Sequence, residues 1–325
     1  MHDPSPAQPE PTSLTQADIQ DAHRRLFAGA GTAVRQTPLM KLPGSAVGVH
    51  CAQVWFKLEH LQIGGSFKAR GMFNRLLSAT VPAAGVVIAS GGNAGIACAA
   101  AAAAIGVPCT VFVSSVSPMA KRDKLAALGA SVVVAGDGYP QALQACQSRA
   151  RETGAMLVHA YDQVEVVAGA GTLALEIEAQ AGLPDAVLVS VGGGGLIGGL
   201  AAGFAARSRV IALEPEQCPT LHAARTAGHP VDVDVGGIAA DSLGARRIGT
   251  IAWDITQRHV ATALLVSDQA IREAQVWMWN EMRLAVEPAA ALPLAALHSG
   301  VYQPRADERV CLIVCGANVD PASLN

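Results

Sequence analysis

The sequence predicts an α/β protein built on open, mostly parallel sheets flanked by helices. Two patterns carry that prediction. Short β-branched runs alternate with Ala-rich helical stretches, and most glycine-rich stretches fall just after a strand and just before a helix. The bulk composition agrees. Of 325 residues, 51% are apolar and only 15% are charged, against a usual charged share of about a quarter. A large core is therefore affordable, and much of the surface must be covered by protein, ligand or a partner subunit, or carry Ala and Gly.

Taken in order, residues 1–12 are Pro-rich and lack the charged start and apolar run of a signal peptide, so a disordered tail is expected there. Val86–Ala89, Cys109–Val113, Val132–Ala135, Ala186–Val191, Val210–Leu213 and Val310–Cys315 read as strands buried on both faces, which is the signature of parallel sheets. Asn93–Ile105, Pro118–Leu128, Tyr139–Glu152, Ala168–Ala181 and Leu196–Ala206 read as the intervening helices. The longest apolar run, Ile96–Val107, is shorter than the roughly 20 residues that span a bilayer. There is no repeat period and no long linker, so pattern alone does not divide the chain into domains. Net charge is −3 and no basic block is present, which argues against nucleic acid and membrane surfaces as partners. Seven scattered cysteines without a CxxC pair fit a reducing, cytoplasmic setting, and nine histidines show no HExxH spacing.

In open α/β sheets, ligands bind where strands end and helices begin. Gly192, Gly193, Gly194 and Gly195 follow a strand and precede a helix. Consecutive glycines let backbone N–H groups converge on a phosphate at a helix N-terminus; the plain alternative is a flexible turn. The same stretch satisfies GxGxxG through Gly193, Gly195 and Gly198, with Glu214 at the end of the next strand, so a dinucleotide-binding dehydrogenase competes. Lys68 arbitrates. It lies between Gly64-Gly65-Ser66-Phe67 and Ala69-Arg70-Gly71. Ser66 could cap a helix whose first turn holds Lys68, and the positive helix end would favour the neutral, nucleophilic amine.

These residues form an ordered set. Lys57-Leu58-Glu59-His60-Leu61-Gln62, Gly65-Ser66-Phe67-Lys68-Ala69-Arg70-Gly71, Ser90-Gly91-Gly92-Asn93-Ala94-Gly95, GAGTLALE at Gly169–Glu176, the tetraglycine, Glu214-Pro215, Glu287-Pro288 and Cys315-Gly316-Ala317-Asn318 follow one another along the chain. Together they resemble the serine/threonine dehydratase family, from about Thr37 to Asn318, with catabolic serine dehydratases nearest. The resemblance implies the tryptophan synthase β fold type: two domains, each an open mostly parallel sheet flanked by helices, with pyridoxal 5′-phosphate (PLP) in the cleft between them. It places residues 13–84 and 161–325 in a large PLP-binding domain and 85–160 in a small substrate-side domain, and it implies a homodimer. It implies that Lys68 holds PLP as a Schiff base and takes the substrate's Cα proton. Phe67 would pack near the pyridine ring, Gly192–Gly195 would bind the phosphate, and Asn93 would meet the phenolic oxygen. Cys315 would sit at the ring nitrogen. Ser66, Ser90, Gly91, Gly92 and Asn93 would hold the substrate carboxylate. Individually, Asn93 could cap its helix, and Phe67 and Cys315 could be ordinary core.

The reaction implied is β-elimination: L-serine or L-threonine, or another small hydroxy amino acid, loses water and then ammonia to leave a 2-oxo acid. A neutral Cys315 would make PLP a weaker electron sink and favour prompt loss of the β-hydroxyl. Family racemases carry serine where Gly91 stands, which argues against racemisation. Ala94 replaces the histidine of bulkier biosynthetic members, and the chain ends shortly after Asn318. Glu214, Cys218 and Thr220 fall in the family's cation segment, and a single carboxylate beside neutral oxygens suits K⁺ better than a divalent ion. Three alternatives stand beside this reading: cysteine synthase-like β-replacement, an NAD-binding dehydrogenase, and a catalytically dead amino-acid-binding protein.

Overall fold

The computed structural model describes residues 13–27 and 33–324; the tail expected over residues 1–12 lies outside them. In chain order the elements are α1 (Gln16–Phe27), β1 (Leu39–Pro43), β2 (Gln53–Lys57), α2 (Lys68–Leu77), β3 (Val86–Ala89), α3 (Asn93–Ile105), β4 (Cys109–Val113), α4 (Met119–Ala127), β5 (Ser131–Val134), α5 (Tyr139–Thr153) and β6 (Met156–Val158). There follow α6 (Val164–Ala181), β7 (Ala186–Ser190), α7 (Gly195–Phe204), β8 (Arg209–Pro215), α8 (Thr220–Ala227), α9 (Ala240–Leu243), α10 (Thr250–His259), β9 (Val260–Val266), α11 (Asp268–Met282), α12 (Pro288–His298) and β10 (Arg309–Ile313).

The strands form two sheets. The larger has the order β1-β2-β10-β7-β8-β9, and the smaller β5-β4-β3-β6. All neighbours are parallel except the edge pair β1–β2, which is antiparallel. The expectation of mostly parallel, helix-covered sheets holds. Strands β3, β7 and β10 are buried along nearly their whole length because helices cover both faces. No helix among the described residues is long and apolar enough to cross a membrane.

Helix α2 is shared between the two layers. Its Ala69, Met72, Phe73 and Leu76 join the core over the smaller sheet, with Leu26 and Val34. Its other side touches α6 backbone to backbone. A Cβ on Gly71 would stand 2.7 Å from the Val166 carbonyl oxygen, and one on Gly169 would stand 2.4 Å from that of Arg70. Glycine at both positions is what lets the helix carrying Lys68 lie so close to α6.

Beneath that contact lies a buried charge cluster. The Arg70 guanidinium donates to both Glu59 oxygens and to Glu176, each at 2.8 Å. Lys57 Nζ donates to Glu176 at 2.5 Å, to the Thr37 carbonyl at 2.7 Å and to Gln180 at 2.8 Å. Two cations thus balance two anions, which is how buried charge is tolerated. The cluster joins β2, α2 and α6 just below the first turn of α2.

Candidate active site

Segment Ser66–Lys68 is held from the end of β10. Ser66 forms an antiparallel bridge with Gly316, and the Phe67 N–H donates to the Cys315 carbonyl at 3.0 Å. This corrects the expected cap. The bridge holds Ser66 extended (φ −160°), so no side chain caps α2, and the buried Ser66 hydroxyl has no protein partner among the described residues. Lys68 Nζ donates to the Ala160 carbonyl at 2.7 Å and lies 5.2 Å from the centre of the Phe67 ring. Burial pulls the Lys68 amine down to about 8, against weaker opposing effects of Cys315 and Glu287. A lysine amine close to neutral pH is poised for nucleophilic and base chemistry.

The tetraglycine loop faces this amine. Gly194 has φ +89° and forms the N-terminal boundary of α7, with no side-chain cap. A Cβ on Gly193 would fall 2.5 Å from the Tyr161 ring, and one on Gly194 2.5 Å from Ile248 and Ala252. Only glycine fits this loop, and the uncapped helix start offers its N–H groups to an anion. A small pocket between loop and amine is lined by Phe67, Gly71, Ala160, Tyr161, Val166 and Gly195.

A second uncapped helix start faces the cleft. Helix α3 begins at Asn93, with Gly92 at its boundary and no side-chain cap, so Ser90 and the Gly91–Asn93 backbone can receive a carboxylate. Asn93 is therefore not a helix cap. Its Nδ2 lies 2.9 Å from both oxygens of Glu287, and its Oδ1 accepts from Asn318 Nδ2 at 2.6 Å. Two oxygens of one carboxylate sit side by side, so a single N–H serves both and the other remains free for a ligand. Glu287 also accepts the Asn318 N–H at 2.7 Å; burial pushes its carboxyl above the usual carboxylate range, and the hydrogen bonds from Asn93 and Asn318 partly oppose that. At Gly91, a Cβ would lie 2.8 Å from the Ser117 hydroxyl.

Cys315 is buried beside this arrangement. Burial, then the nearby Glu287 charge, push its thiol well above the ordinary range, so it is a neutral thiol at any physiological pH. Glu214 is also buried. It accepts from the Leu221 N–H at 2.7 Å, the His222 N–H at 2.8 Å and the Thr220 hydroxyl at 3.0 Å, and desolvation lifts it to about 7. The structure brings Glu214 and Thr220 together but turns Cys218 aside, its thiol donating to the Gly236 carbonyl at 3.2 Å. A carboxylate spent on a helix start is not available to a ribose, which removes the support for a dinucleotide site.

The residues fit PLP. They supply a desolvated lysine amine, an anion cradle that side chains would fill, a free N–H on Asn93, an unpartnered buried hydroxyl on Ser66 and a neutral thiol. Sequence reasoning gave no role to Glu287, Asn318 or Tyr161. Glu287-Pro288 and Asn318 stood within quoted motifs, and the partners that give them meaning are distant in the chain.

The family model for pyridoxal-phosphate dependent enzymes matches residues 31–316. The chain is 35% identical to the phenylserine dehydratase of Ralstonia pickettii over 301 residues, covering 89% of this chain and 90% of that one. It is 30% identical to the L-threonine ammonia-lyase of Thermotoga maritima, covering 94% and 76%. Among solved structures, maize serine racemase superposes with a TM-score of 0.87 at 28% identity, covering 96% of both chains.

Proposed function

This chain belongs to the family of pyridoxal-phosphate dependent enzymes, and from that membership we propose that it is an ammonia-lyase converting L-serine and L-threonine, as hydroxy amino acids, to 2-oxo acids and ammonia. The observation that carries the reading is the Lys68 amine, lowered by burial to about 8, facing the uncapped tetraglycine loop. Relatives named as dehydratase and ammonia-lyase support the reaction class.

PLP, when bound, supplies an electron sink that acidifies the substrate's Cα–H. The chain does the rest. Gly192–Gly195 would hold the phosphate with backbone N–H groups, Asn93 would give its free N–H to the phenolic oxygen, and Phe67 would pack beside the ring. Ser66, Ser90 and the Gly91–Asn93 backbone fix the substrate carboxylate at the start of α3, where the helix dipole favours an anion. Lys68 Nζ takes the Cα proton. The neutral Cys315 thiol would face the ring nitrogen in place of a carboxylate, so the cofactor would be a weaker electron sink. A homodimer in the cytoplasm belongs to the same proposal, supported by the low share of charged residues and by seven free cysteines.

The purified protein should release 2-oxo acid and ammonia in equal amounts from L-serine or L-threonine without added NAD⁺. A requirement for NAD⁺ would restore the dehydrogenase. Faster formation of a sulfur-substituted product from an activated serine and sulfide would make β-replacement the reaction. In deuterated water little D-serine should form, because Gly91 offers no side chain to the opposite face; D-serine in amounts rivalling pyruvate would implicate Ser117.

A second expectation concerns pH. Only the neutral amine attacks an aldehyde, so the rate at which apoprotein takes up PLP should climb about tenfold per pH unit below pH 8 and level off above it. Stopped-flow absorbance reads this directly. A rate still climbing toward pH 10 would mean that Lys68 keeps an ordinary amine.

A further inference from the structure

Three successive carbonyls of the tetraglycine loop are taken up by the protein. Gly192 accepts from the Thr220 hydroxyl at 2.6 Å. Gly193 accepts from the Gly249 N–H at 3.0 Å, and Gly194 from the Gly198 N–H at 2.8 Å. A trans peptide unit points its C=O and the following N–H in opposite directions, and no cis bond occurs among the described residues. The N–H groups of Gly193, Gly194 and Gly195 are therefore turned away from these partners. None of the three has a protein acceptor among the described residues, although Gly194 and Gly195 are buried. Buried backbone donors are rarely left without an acceptor, so the loop is set to receive one from a ligand.

Two of the three ties have a carboxylate behind them. Neither α8 nor α10 is capped by the side chain of the residue before it; a remote carboxylate does this for each. Glu214 takes the Leu221 and His222 N–H groups at the start of α8 and meets the Thr220 hydroxyl as well. Thr220 and Glu214 are both fully buried. The one hydroxyl proton of Thr220 serves two acceptors, and the contact to the loop, at 2.6 Å, is shorter than that to Glu214, at 3.0 Å. Asp162 does the same for α10, accepting the Thr250 N–H at 3.0 Å and the Ile251 N–H at 3.1 Å. A Cβ on Gly249 would stand 2.8 Å from Asp162, so the residue that donates to Gly193 is pressed against this carboxylate.

We propose that Thr220 and Asp162 are positioning residues for the phosphate of the cofactor. Thr220 holds the Gly192 carbonyl directly and Asp162 holds the Gly193 carbonyl through Gly249, so that the N–H groups of Gly193 and Gly194 face the phosphate before it arrives. Donors fixed in advance lose less freedom on binding. This rests on the PLP reading and names what aligns the phosphate end of that site.

The test compares PLP with pyridoxal, which lacks the phosphate. Apoprotein is titrated with each, the visible band gives two dissociation constants, and their ratio measures what the phosphate contributes. Thr220→Val, which removes the hydroxyl and keeps the shape, should lower that ratio about tenfold, the effect of losing one aligned hydrogen bond. Thr220→Ser should restore it, and Asp162→Ala should lower it severalfold. A ratio unchanged in Thr220→Val overturns the proposal, whether both constants stay as they were or both rise together as a general loss of structure would make them. Should Thr220→Val not fold, Asp162→Ala decides by the same ratio, and an unchanged value there overturns the proposal. If the parent takes up neither compound, the PLP reading itself fails and this proposal with it.

Discussion

Lys68→Ala should lower turnover of every substrate by several orders of magnitude, because one substitution removes both the nucleophile that holds the cofactor and the base that takes the Cα proton. The fold should survive. Lys68 makes one hydrogen bond, to the Ala160 carbonyl, and enters no ion pair among the described residues. Burial already works against its charge, so its loss relieves a desolvation cost. The checks are kcat and a thermal melt on one preparation. Activity within tenfold of the parent, with the melt unchanged, would refute the role.

How far the sequence foretold this differs from element to element. Strands β3 and β4 and helix α3 have the bounds that periodicity suggested, since each is a short uniform run closed by glycine or proline signals. The edge strand β1 and its neighbour β2 were not foreseen: LMKLP and QVWFK are brief and mixed, and it is their pairing with each other, and that of β2 with β10, that makes them strands. Strand β9, VATALLV, suits a helix as well by composition. At the site, Lys68 and the glycines were legible because they are local motifs. The charge cluster was not, since Arg70 meets Glu59 across 11 residues and Glu176 across 106. The Ser66 cap was misread for a similar reason: Gly316, which turns Ser66 away from α2, lies at the far end of the chain.

Arg70→Met should destabilise the protein by about 3–5 kcal/mol, because it leaves the Glu59 and Glu176 carboxylates buried without their guanidinium. Burial alone would raise the Glu59 carboxyl, yet Arg70's charge and hydrogen bonds, with help from Thr37, hold it below its usual value. A carboxyl lowered in the folded state contributes stability above its unfolded value, and that contribution is lost as pH falls through the folded one. The parent should therefore lose stability in acid more steeply than Arg70→Met. Urea unfolding at neutral pH and at pH 4 measures both effects. Adding Glu59→Gln should recover part of the loss, since one unpaired charge is then removed. A loss below about 1 kcal/mol for Arg70→Met would mean that water reaches the cluster.

The central claim is that Lys68 is the residue that carries PLP. It is tested most directly by reducing the purified protein with borohydride, digesting it and mapping the mass of the reduced cofactor onto the peptides. The account predicts a yellow protein whose colour is lost on reduction, with the added mass on the peptide that contains Lys68. Label on Lys57 or Lys121, or a colourless protein carrying no label, would contradict it.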